Sequence, residues 1–100
     1  SLWYAFREQT MIKIISAKYH RDYWIDLEFS DGTHGTHDFT SLVAKDAPLV
    51  TPIRDYDRFR EFYLELGALC WKHGLELSAW SLQEKLKSLG KLETAADPAA

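Results

Sequence analysis

The chain carries a single cysteine, Cys70, among its 100 residues, so an internal disulfide is excluded and a reducing compartment is the simpler expectation. No apolar run approaches the roughly 20 residues that a membrane-spanning helix needs. Basic residues form no stripe, and the net charge is -3, so direct binding to a phosphate backbone is not expected. There is no G-x-G-x-x-G, no phosphate-cradling loop before G-K-[ST], no G-x-S-x-G and no H-E-x-x-H. These gaps remove the commonest nucleotide-binding, esterase and zinc-protease readings. A cytoplasmic protein with no cofactor is the expectation that remains.

What is abundant is aromatic and aliphatic. Hydrophobic residues make up 46% of the chain and aromatics 14%, which argues against disorder and for a core built largely from rings. A chain of this length suits one domain. Met11-Ile12-Lys13-Ile14 reads as a natural start, with residues 1–10 either an upstream extension or a real extra element. The domain is expected over residues 11–92. The small, polar residues 93–100 are expected to form a disordered tail.

Ile12 to Tyr19 is rich in β-branched and apolar residues and reads as a strand, with His20-Arg21-Asp22 as a polar turn. Tyr23 to Ser30 then alternates. Tyr23, Ile25, Leu27 and Phe29 fall on one face, and Trp24, Asp26, Glu28 and Ser30 on the other, which is the signature of a half-buried antiparallel strand. A two-residue Asp31-Gly32 turn would push Phe39 to the solvent face. A three-residue loop with Gly32 in the left-handed region pairs Ile25 with His37 and Tyr23 with Phe39, keeping Phe39 inside. Burial favours the second register.

Thr40 to Lys45 suits one helical turn, and Pro48 and Pro52 mark an extended loop. Tyr56, Phe59, Tyr63 and Leu66 form a helical stripe, yet Phe62 and Leu64 also alternate with Glu61, Tyr63 and Glu65 as a strand would. At the C-terminal end, Ala79, Leu82, Leu86 and Leu89 share a face, so a helix is expected over 78–89. Ser78 is its N-cap, with Ser81 to Glu84 as a competing capping box, and Gly90 is its stop.

The tempting chemical cluster is His34-Gly35-Thr36-His37-Asp38. On a strand, His34 and His37 point to opposite faces, while His34 and Asp38 share a face about 13 Å apart at about 3.3 Å per residue. A zinc ion needs its donors at about 2 Å. An inward His37 and a wet His34 are therefore the expectation, with no metal site and no catalytic residue assigned. His20 and His73 sit in separate turns. Cys70 lies in an apolar stretch and reads as a small hydrophobe. Trp24 is the more informative residue, because alternation places it on the polar face beside Asp26 and Glu28. Trp24, Asp26, Glu28, His34, Asp38 and Trp80 together make the candidate interaction surface.

This order of elements resembles the bacterial domain of unknown function 2442 family. The likeness rests on Tyr23 to Phe39, on Pro52-Ile53-Arg54-Asp55 leading to Phe59, and on Trp71 to Leu77 with Leu82. His37 stands where relatives carry an aliphatic residue, and Ala79 where many carry proline. The resemblance implies a small α+β fold with a curved, mainly antiparallel sheet, a short helix near 55–60, strands near 62–65 and 68–71, and the C-terminal amphipathic helix. It implies no activity. Some longer relatives append a helix-turn-helix DNA-binding domain, which is not expected in the eight residues after Leu92, and some look like halves of toxin–antitoxin pairs. The functional expectation is a non-catalytic binding module, regulatory or antitoxin-like, acting through a protein partner or as a homodimer. The alternative is a small metal- or ligand-dependent enzyme using His34, His37, Asp38 and His73.

Overall fold

Alternation does what its period demands. In the computed structural model, which describes residues 12–94, Ile25, Leu27 and Phe29 are buried while Trp24 and Asp26 are half-buried and Glu28 is exposed. They belong to β2 (Trp24–Phe29), the centre of an antiparallel sheet between β1 (Ile14–Arg21) and β3 (His34–Asp38). The register is the one that burial favours: Ile25 lies opposite His37, and the Phe29 amide donates to the Thr33 carbonyl at 2.8 Å. Gly32 closes the three-residue loop at φ +88°. Asp31 fastens the loop, accepting from the Thr33 amide at 3.0 Å and from Gln83 Nε2 at 2.9 Å.

The first strand departs from expectation at its end. His20 and Arg21 stay in β1, and the chain turns at Asp22, whose φ is +46°. An irregularity between Tyr19 and Arg21 sets Arg21 opposite Trp24. Inserted residues of this kind re-aim side chains without breaking the sheet.

After α1 (Thr40–Val43), the segment expected to be extended instead winds into a 3-10 turn over Thr51–Arg54, with Pro52 in its first turn. Proline is at ease there because its missing donor would go unused anyway. Arg54 then caps α1: its Nε donates to the Val43 carbonyl at 2.7 Å and Nη2 to the Lys45 carbonyl at 2.8 Å. The next helix, α2 (Tyr56–Phe59), is N-capped by Asp55, whose side chain accepts from the Asp57 amide.

The helical stripe does not continue beyond Arg60. Leu66, its last member, is 92% exposed, and it forms with Gly67 (φ 51° and 79°) the two-residue turn of a hairpin between β4 (Tyr63–Glu65) and β5 (Ala68–Cys70). Two consecutive left-handed residues match the twist of such hairpins. β6 (Glu76–Leu77) completes a second three-stranded sheet. The Ile14 amide donates to the Gly67 carbonyl at 2.9 Å, which ties the two sheets together.

The final helix, α3 (Ala79–Ser88), is capped by Ser78, whose hydroxyl accepts from the Ser81 amide at 3.1 Å. Ala79, Leu82 and Leu86 are buried, but Leu89 is 53% exposed, because the helix ends beneath it and Gly90 turns the chain away. Glu93, the first residue of the expected tail, exchanges two backbone hydrogen bonds with His34 at 2.8 Å each. Residues 1–11 and 95–100, which include the expected extension and the rest of the tail, lie outside the described residues.

Phe59 is the hub of the core. Its ring meets Tyr23 at 5.2 Å, Phe39 at 5.9 Å and Trp71 at 5.9 Å, and its carbonyl accepts from the Trp71 indole at 2.9 Å. The expected α+β class is the one adopted, with the strands divided between two antiparallel sheets. Among the described residues no helix is long and apolar enough to cross a membrane.

Candidate functional site

The face of the first sheet turned away from the core collects residues from every second position of three strands. Its rows are set by the register: Lys18, Asp26 and Thr36 form one, and Arg21, Trp24 and Asp38 another. Beside them the chain leaving α3 passes the edge of β3, and an open cleft of about 560 Å³ lies between, lined by Trp24, Asp26, Glu28, His34, Thr36 and Lys91 among others.

Trp24 is the cleft's largest side chain. The Arg21 guanidinium carbon lies 4.2 Å from its ring centroid, Lys91 Nζ approaches to 6.0 Å, and the His20 ring stacks at 6.1 Å with 15° between planes. An exposed cation over an indole contributes on the order of 0.5–1 kcal/mol, enough to favour one ring orientation. Asp26 is similarly engaged: Oδ1 accepts from the Thr36 hydroxyl at 2.6 Å, and His20 Nδ1 lies 3.3 Å from the carboxylate. At the far end His34 Nδ1 is 3.9 Å from Glu93 Oε2.

Four of the residues singled out from the sequence thus share one cleft: Trp24, Asp26, Glu28 and His34. Two do not. Asp38 has its Oδ1 taken by the Thr40 amide at 2.9 Å and hydroxyl at 2.5 Å, and it lines a different groove beside α1. Burial alone would raise its pKa, but those hydrogen bonds outweigh that and hold it below the ordinary carboxylate value. Trp80 is 46% exposed on α3 and pairs with no other ring among the described residues. Sequence reasoning missed Arg21, which the β1 irregularity sets over the Trp24 ring, and Lys91, which lines the cleft after the turn at Gly90. Thr36 was accessible from alternation, since it shares its face with His34.

The histidines do not converge. His34 is opposite Glu28 on the outer face, and His37 is opposite Ile25 on the inner one. His73 Nε2 lies 2.6 Å from the Leu49 carbonyl, in the loop after β5. Among the described residues no group of three or more His, Cys, Asp or Glu side chains could hold a metal ion. Cys70 is buried, and desolvation first, then the nearby Glu76 and Glu65 charges, push its thiol pKa up. It is therefore a thiol rather than a nucleophilic thiolate at neutral pH.

A family model described as "Protein of unknown function (DUF2442)" matches residues 14–88, from the first strand to the end of α3. No curated protein and no solved structure matches the chain.

Proposed function

The chain belongs to the DUF2442 family, proteins of unknown function, and from that premise we propose that it is a non-catalytic binding module whose contact surface is the outer face of the first sheet. One observation carries this reading: Trp24, the largest apolar ring outside the core cluster on that sheet, is held under Arg21 in an open cleft. An indole with a cation above it and carboxylates beside it is the kind of amphipathic anchor that dominates protein interfaces. Asp26, Glu28 and Lys91 lining the cleft, with Arg21 over Trp24, make a mixed-charge surface, which favours a protein partner over a nucleic acid. A regulatory or antitoxin-like role fits such a surface, and so does pairing with a second copy. We place the protein in a bacterial cytoplasm, where a lone buried thiol suits the reducing conditions.

Affinity capture from the source cell with wild type, Trp24→Ala and Trp80→Ala, together with light scattering, tests this. The expected result is one recurrent partner, or self-association, lost by at least tenfold in Trp24→Ala and kept in Trp80→Ala. A Trp24→Ala protein that captures and associates as wild type does would sink the reading. Stoichiometric metal on untagged protein, lost on His34→Ala or His37→Ala, would replace it with the enzyme alternative.

A further inference from the structure

His37 is the one buried polar side chain among the described residues, 8% exposed in a core that is otherwise apolar. Its Nδ1 is enclosed with no hydrogen-bond partner, and no described group bonds to Nε2. The ring is not walled off, however. It lines a groove of about 520 Å³ between β3, α1 and α3, with Leu42, Leu77 and Leu89 giving apolar surface and Lys45 and Lys85 giving charge. Neither lysine forms an ion pair among the described residues. The one carboxylate lining the groove, Asp38, is engaged by Thr40.

We propose that this groove binds a small amphipathic monocarboxylate, its apolar body against Leu42, Leu77 and Leu89 and its head group on Lys45, Lys85 and the His37 imidazole. The volume falls within the roughly 300–1,000 Å³ of small-molecule sites, and the lining mixes apolar side chains with charged and polar ones, as an amphipathic ligand requires. Charge complementarity selects the head group. Two lysines with no ion pair among the described residues line the groove with a single carboxylate that already has its donors, so the groove retains positive charge. A neutral imidazole adds one N–H donor, and no neighbour fixes which nitrogen carries it. A carboxylate at the groove would place that proton on Nε2 and leave the enclosed Nδ1 as a bare acceptor. Burial, together with Lys85 and Lys91, keeps the ring in its neutral form, against the opposing pull of Asp38.

The test is titration of isotope-labelled full-length protein with decanoate, followed by NMR, with 1-decanol and inorganic phosphate as comparisons. Saturable shifts at His37, Leu77 and Leu89 are expected with decanoate. 1-Decanol should bind at least fivefold more weakly, and phosphate alone should not saturate. The double substitution Lys45→Gln with Lys85→Gln, both on the surface, should weaken decanoate at least fivefold and leave 1-decanol unchanged. Equal affinity for acid and alcohol, saturation by phosphate alone, or shifts mapping elsewhere would each overturn the proposal. Trp24→Ala should bind decanoate as wild type does, because Trp24 lines the outer cleft and not this groove; this separates the groove from the outer-face reading.

Discussion

The carbonyl oxygen of Lys91 occupies space that any side chain on Gly35 would claim: a β-carbon there would sit 2.6 Å from it, with a Leu86 methyl at 3.3 Å. Gly35 is therefore the contact that lets the chain leaving α3 close against β3 and reach the His34–Glu93 bridge. Gly35→Ala should cost about 1–3 kcal/mol through overpacking. The loss should also be local first. Hydrogen exchange should show the His34 and Glu93 amides losing protection while the β1–β2 ladder keeps its own. Unchanged protection at Glu93 would mean that the closure does not depend on the missing side chain.

Two other glycines separate backbone strain from packing. Gly32 and Gly67 both have left-handed φ, +88° and +79°, but a β-carbon on Gly32 meets nothing within 4 Å, whereas one on Gly67 lies 2.6 Å from Lys13 Cβ. Gly32→Ala should therefore cost only the left-handed penalty of about 1–2 kcal/mol. Gly67→Ala adds a clash at the point where the two sheets are tied, and should cost more. Urea denaturation of both variants measures the difference. Equal losses would show that the Lys13 contact relaxes freely.

The cap of α3 can be assigned by substitution. Ser78 Oγ accepts from the Ser81 amide, while Ser81 Oγ only donates back to the Ser78 carbonyl at 2.9 Å. Ser78→Ala should lower stability by about 0.5–2 kcal/mol, and Ser81→Ala by distinctly less, because the capped group at 81 is its backbone amide. Thermal unfolding distinguishes the two. The reverse order would move the helix start three residues along, to the competing capping box.

What was legible in the sequence had a local cause. Tyr23 to Phe29 announces its two faces through alternation, Gly32 its left-handed turn, and Ser78 its cap; each is decided within a few residues. The misleading signal was also local. Tyr56, Phe59, Tyr63 and Leu66 repeat as a helix would, but Leu66 and Gly67 adopt paired left-handed conformations that suit a two-residue hairpin turn and end a right-handed helix. The candidate surface divides the same way. Trp24, Asp26, Glu28 and His34 follow from register, while Asp38 is claimed by Thr40 across two residues. Arg21 and Lys91 reach Trp24 through an irregular strand and a chain that folds back, and such long-range geometry leaves no periodic trace.

The buried imidazole should make stability depend on pH well above the carboxylate range. Burial is the main cause that lowers the His37 pKa from its ordinary 6.5, with Lys85 and Lys91 adding to it and Asp38 opposing. In the unfolded chain the ring takes up a proton near 6.5, which the folded protein resists, so acidification through that value favours unfolding. The contribution is complete above 6.5 and is lost progressively as pH falls toward the folded-state value. Asp31 behaves differently: burial would raise its pKa, but hydrogen bonds from Thr33 and Gln83 outweigh that and lower it, so its contribution is lost only below the ordinary 3.8. Between 6.5 and 3.8, wild type should therefore lose stability relative to His37→Phe. The offset between the two proteins at neutral pH reflects packing, and only the slope tests the claim. An NMR titration with the His37 midpoint at or above 6.5, or a pH-independent difference in unfolding free energy, would show that the ring reaches water more freely than its burial implies.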